Sequence, residues 1–117
     1  MIRERDFRQI ALGMKGVVES AHMGHPDFRV NNRIFATLDH DRVFGGLMLT
    51  PDQQERFVSE HPDAFAPASG AWGRGGATMV RLAAVAEEAV GEAMTLAWQN
   101  AMAKSPSRSP RKRPSAI

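Results

Sequence analysis

GHPDFRVNNRIFATLDHDRVFGGLML, residues Gly24 to Leu49, reads as three short strands joined by two tight connections, and this antiparallel meander decides the fold. Asn31-Asn32 separates two apolar-rich runs, and consecutive Asn residues tolerate the positive φ angles of a two-residue primed turn. Such a turn pairs Val30 with Arg33, and an unbroken ladder then sets Phe28 across from Phe35. The looser Asp39-His40-Asp41-Arg42 connection pairs Leu38 with Val43 and Thr37 with Phe44. Strict alternation collects Phe28, Val30, Phe35, Phe44 and Met48 on one face and Ile34, Ala36, Leu38, Val43, Leu47 and Leu49 on the other. Both faces are apolar, so either both are covered or one presents an apolar binding surface.

Around the meander the chain alternates helical and extended patterns. Asp6 to Met14 places Phe7, Ile10, Ala11 and Met14 at helical spacing, with Asp6 set to cap the helix or complement its dipole. Lys15-Gly16 stops it. Val17 to Met23 is read as a first strand and Gly24-His25-Pro26 as the turn after it. Thr50-Pro51-Asp52 is a helix start, with a hydroxyl at the cap and proline at the first helical position, and His61-Pro62 ends that helix near Glu60. Asp63 to Ala77 is expected to be an irregular crossing, and Thr78 to Leu82 a last strand. Ala84 to Ala103 carries Ala86, Val90, Ala93, Met94, Ala97, Trp98 and Ala101 as one stripe, opposite Glu88, Glu92, Thr95 and Gln99. The order α-β-β-β-β-α-β-α predicts an α+β two-layer sandwich: an antiparallel sheet of about five strands with three helices, mainly on one side.

The 117 residues make one domain, with 43% apolar and 24% charged residues, as in ordinary soluble globular proteins. No window approaches the roughly 18 apolar residues of a membrane span, and a cytoplasmic protein without membrane contact is expected. The absence of cysteine excludes disulfides, thiol nucleophiles and thiolate metal sites. The basic excess is local. Residues 1–103 hold ten basic against thirteen acidic residues, whereas 104–117 hold Lys104, Arg108, Arg111, Lys112 and Arg113 and no acid. The body is therefore mildly acidic, and 104–117 is expected to be a disordered Ser/Pro-rich basic tail.

Few residues form a chemical constellation. Glu19, His22 and His25 recur every third position near Asp39-His40-Asp41, but on a strand His22 points away from Glu19, and no HExxH-type spacing is present. The expectation is solvated histidines, no metal and no cofactor. The run Gly70 to Thr78 has backbone N–H groups and Arg74 to offer an anion, yet lacks the Gly-Lys-Ser/Thr of a phosphate loop; the favoured reading is an irregular entry to the last strand with Trp72 packed over the core. Ser20, Ser59 and Ser69 sit in no GxSxG elbow, and Glu87-Glu88 is explained by the helix dipole. Ser109-Pro110-Arg111-Lys112 fits a Ser-Pro-basic-basic pattern of minor-groove binding, against the plainer reading of a solubilising extension.

The segments His25-Pro26-Asp27-Phe28-Arg29-Val30, Ile34-Phe35-Ala36-Thr37-Leu38, Leu49-Thr50-Pro51-Asp52-Gln53-Gln54 and Ala71-Trp72-Gly73-Arg74-Gly75-Gly76-Ala77-Thr78, taken in order, resemble the MmcQ/YjbR family over about residues 6 to 103. The resemblance implies a compact fold of the CyaY-like and secretion-chaperone-like kind and a DNA-binding role, and it carries no catalytic residues. Met14-Lys15-Gly16 departs from the family's Leu-Pro-Gly, and Glu19-Ser20 from its Glu-Glu. The first expectation is therefore a non-enzymatic DNA-binding domain in which Arg29, Arg33 and Arg74 contact phosphate, Trp72 stacks on bases, and Arg108, Arg111, Lys112 and Arg113 add affinity. The alternative is a chaperone-like adaptor that takes a protein or peptide on an exposed apolar sheet face.

Overall fold

A computed structural model describes residues 1–39 and 41–103. The expected disordered tail and its cations, and His40, lie outside these residues. The elements in chain order are α1 (Glu4–Leu12), β1 (Val18–His22), β2 (His25–Val30), β3 (Arg33–Leu38), β4 (Phe44–Met48), α2 (Pro51–Glu60), β5 (Phe65–Pro67), α3 (Gly70–Arg74), β6 (Ala77–Arg81) and α4 (Glu87–Ala103). The strands form one antiparallel sheet in the order β1-β2-β3-β4-β6-β5. The α+β two-layer arrangement is as the sequence predicts, with six strands and four helices in place of about five and three. The additions are β5 and α3, which order the crossing expected to be irregular.

The local chemistry explains the elements that were legible. Asn31 and Asn32 have φ of 57° and 60°, the primed-turn values, and Val30 pairs with Arg33. Thr50 Oγ1 accepts from the Gln53 backbone N–H at 3.2 Å while the Gln53 side chain accepts from the Thr50 N–H at 3.0 Å, a reciprocal cap that fixes the start of α2. Asp6 sits inside α1 and accepts from the Arg3 backbone N–H at 2.9 Å.

The ladder between β2 and β3 differs from the unbroken one expected. Phe28 stands across from Ala36 and Arg29 from Ile34, so Phe35 is the extra residue of a bulge. A bulge turns two successive side chains toward one side. Phe28, Phe35, Ala36, Leu38 and Leu47 are all fully buried in a single core, and the expected segregation of Phe28, Val30 and Phe35 with Phe44 and Met48 is corrected accordingly. The next connection is displaced too: Leu38 pairs with Gly45 and Thr37 with Gly46, in place of Val43 and Phe44. Two residues of slack at Val43 let the Asp39 carboxylate accept from the Val43 N–H at 2.9 Å, closing the loop.

Helices α1 and α4 cover the core side of the sheet. Phe7 of α1 meets Phe28 at a ring-centroid distance of 6.1 Å. The α4 stripe is Ala89, Val90, Ala93, Met94, Ala97 and Ala101; Ala86 is exposed ahead of the helix, and Trp98 is half-buried with its indole N–H donating to the Lys15 carbonyl at 3.0 Å. Alanine at so many of these positions brings the helix close to the sheet. At the far edge Phe57 of α2 packs on Phe65 of β5 at 5.2 Å. The opposite face of the sheet carries no helix comparable to α1 or α4, and there the functional question lies.

Candidate functional site: the open trough of the sheet

A trough opens on the second face and reaches the last turns of α4. Thr37, Met48 and Ala77 line both this trough of about 930 Å³ and a smaller neighbouring hollow of about 370 Å³, and Trp72 stands beside both. The larger trough runs from His22 and Arg29 past Arg33 and Ile34 to Leu49, Asn100 and Ala103. Its lining among the described residues includes three basic side chains, His22, Arg29 and Arg33, and no carboxylate. In a body that is acidic as a whole, this is a local reversal of sign.

Trp72 is 72% exposed, which corrects the expectation that it packs over the core. Its carrier is the five-residue α3, anchored from three directions. A side chain at Gly73 would collide with the Ala68 carbonyl, and one at Gly76, whose φ is +114°, with the Leu49 carbonyl. Only glycine permits both approaches. Gln54 of α2 then donates to the carbonyls of Gly73 and Ala77, each at 2.9 Å. The indole is thus held out over the trough by backbone packing and not by contacts of its own.

The other end of the trough is built on a buried charge. Asp27 is fully buried, and both its oxygens are engaged: Arg29 Nε donates to Oδ1 at 2.8 Å, Arg29 Nη2 donates to Oδ2 at 3.1 Å, and His22 Nδ1 lies 2.7 Å from Oδ2. An ionised carboxylate only accepts, so Nδ1 carries the proton in this contact. The Arg29 guanidinium holds the Asp27 carboxyl below the usual carboxylate range, against the opposing effect of burial, and His22 adds to the lowering. The β1–β2 hairpin makes the contact, since Ser20 pairs with Asp27 and His22 follows two residues on along the same face.

Of the residues singled out from sequence, the fold brings Arg29, Arg33 and Trp72 around one trough. Arg74 is exposed at the end of α3 and is not among the lining residues. Arg108, Arg111, Lys112 and Arg113 lie outside the described residues, but Ala103, to which that segment is joined, lines the trough. Glu19 faces the other way, paired with Arg8 at 3.0 Å, and no group of three or more His, Asp or Glu residues able to hold a metal occurs among the described residues. His22 with Asp27 is the pair that sequence reasoning missed. The signal was two polar residues flanking Met23-Gly24 at hairpin spacing, legible only once the register of β1 was fixed. Among the described residues no helix is long and apolar enough to cross a membrane.

Among solved structures, the crystal structure of Deinococcus radiodurans protein DR2400, which carries the domain DUF419, superposes with a TM-score of 0.76 at 21% identity, covering 89% of this chain and 81% of that one; the likeness is one of fold. No curated protein matches the chain. The family model described as YjbR matches residues 12–100, which spans β1 to the last turns of α4 and takes in every segment of the resemblance. The chain belongs to the YjbR family.

Proposed function

We propose that the chain is a non-enzymatic nucleic-acid-binding domain that takes a single-stranded segment of DNA along the open trough. The observation that carries this reading is the lining itself: an exposed Trp72 in the same trough as Arg29 and Arg33, with no carboxylate among the described lining residues. An exposed aromatic stacks on an unpaired base whatever its identity, and guanidinium groups along a groove follow the phosphates. Stacking requires bases freed from a duplex, which favours a single strand. Arg74 lies just beyond the trough on the carrier of Trp72, and the basic segment from Lys104 continues from Ala103 at the rim.

The test is a salt series of single-stranded oligonucleotide binding, followed by the fluorescence anisotropy of a labelled oligonucleotide, for the full chain and for a version ending at Ala103. The shorter chain is expected to bind at low salt with a shallower salt slope, because fewer phosphates are neutralised. Trp72→Ala should cost about 1–3 kcal/mol per stacked base, and Arg74→Ala should reduce the slope by about one charge. Failure of the shorter chain to bind at low salt would leave only the tail's polycation and defeat the reading for the body. The apolar floor of Ile34, Met48 and Leu49 supports a second reading, a peptide taken by a chaperone-like adaptor. Under it, apolar peptides of low charge bind with little salt dependence and oligonucleotides do not compete.

A further inference from the structure

If the trough is the binding surface proposed above, its His22 end holds a ligand group of its own. We propose that His22, Arg29 and Asp27 form a receptor for a tetrahedral oxyanion, the phosphate of the bound strand, in which Asp27 is a positioning residue and His22 and Arg29 make the contacts. The starting point is an energetic oddity. Asp27 is the one charged side chain buried among the described residues, and taking a carboxylate out of water is costly unless its partners compensate. Both partners, His22 and Arg29, line the trough. Neither serves the core, where the packing is apolar. The burial therefore fixes two donors that would otherwise be mobile at the surface.

The remaining donors suit an oxyanion. Arg29 spends Nε and one Nη2 hydrogen on Asp27 and keeps its Nη1 hydrogens, with its side chain 38% exposed. His22 spends Nδ1 on Asp27 and is 47% exposed, so its Nε2 is the atom left to meet a ligand. In neutral imidazole that nitrogen is an acceptor; in imidazolium it is a donor. Oxyanion binding is then coupled to uptake of one proton by His22. The charged groups nearest it are Asp27, Arg29 and His25 on β2, with the His25 ring 6.1 Å away, and Asp39, two residues beyond Thr37; Arg33 pairs at the other end of β2. Thr37, paired across from Asp27, also lines the trough.

Inorganic sulfate, whose charge is constant across the histidine range, is the first probe, and single-stranded oligonucleotide the second. For the full chain, sulfate should shift the His22 ring and Arg29 Nε resonances together. Its affinity should fall as pH rises through the histidine range. Asp27→Asn separates the mechanisms by sign: loss of a nearby negative charge alone tightens anion binding, whereas loss of positioning weakens it by about tenfold. Weaker binding is the expected result; equal or tighter binding overturns the receptor. Should Asp27→Asn fail to fold, the exposed His22→Gln carries the test. It should remove the pH dependence, and an unaltered pH profile overturns the receptor, as does the absence of any sulfate shift in the native chain. Sulfate binding without oligonucleotide binding keeps the receptor and ends the nucleic-acid reading. Oligonucleotide binding that ignores both substitutions does the reverse.

Discussion

The two faces of one sheet have opposite fates. On the helix side, Phe28, Ala36, Leu38, Leu47 and Val80 meet α1 and α4 and are almost wholly excluded from water. On the other side the same strands present Thr37, Gly46, Met48 and Met79, which are half-buried, with Trp72 and two arginines around them. The difference is one of cover: one face lies beneath α1 and α4, and the other carries no long helix among the described residues. Stability and, on the proposed reading, recognition then fall to alternate residues of the same strands, and each can be perturbed with limited effect on the other.

Substitutions can break or sharpen that division, beginning with the largest effect on stability. Phe28→Ala removes a fully buried ring packed on Phe7 and should cost about 3–5 kcal/mol in denaturant unfolding. A loss below about 1 kcal/mol would mean the covered face is not the core. Asp27 is intermediate, because it is buried yet belongs to the trough. Its carboxyl is lowered in the folded chain, so its contribution is present above the unfolded value near about pH 4 and is lost as pH falls through the lowered one. Asp27→Asn should therefore unfold at lower denaturant at neutral pH, by about 1–2 kcal/mol, and lose less stability than the native chain on acidification. Parallel acid limbs for the two proteins would remove the ion pair from the account. Trp72→Ala should change stability by less than about 0.5 kcal/mol, since the ring is exposed and its carrier is held by backbone contacts. A marked thermal destabilisation by that variant would show that the open face also holds the fold together.

The sequence carried local signals faithfully and side-to-side alignment poorly. Asn31-Asn32 and the Thr50–Gln53 cap are written in residues that interact within a few positions, and both turns lie where expected. Phe35 illustrates the opposite case. Phenylalanine is equally at home on either apolar face, so nothing in composition marks the bulge, and one extra residue brought Ala36 and Leu38 round to the face that Phe28 and Phe35 share. The short α3 escaped because Gly-Ala-Trp-Gly-Arg has poor helix propensity and no periodicity over five residues; the Gln54 bonds and the close approach to Ala68 stabilise it from outside. Of the candidate site, Arg29, Arg33 and Trp72 were visible as residue types with suitable chemistry. The grip of Asp27 on His22 was not, because it depends on which residues of β1 and β2 stand side by side.

The carrier of Trp72 has a consequence for how such a protein changes over time. Its shape is dictated by glycines at 73 and 76 and by an amide on a separate helix, none of which consults the identity of residue 72. That position behaves as a socket. If the trough binds as proposed, exchange of the indole for another group would alter what it can hold without rebuilding the mount.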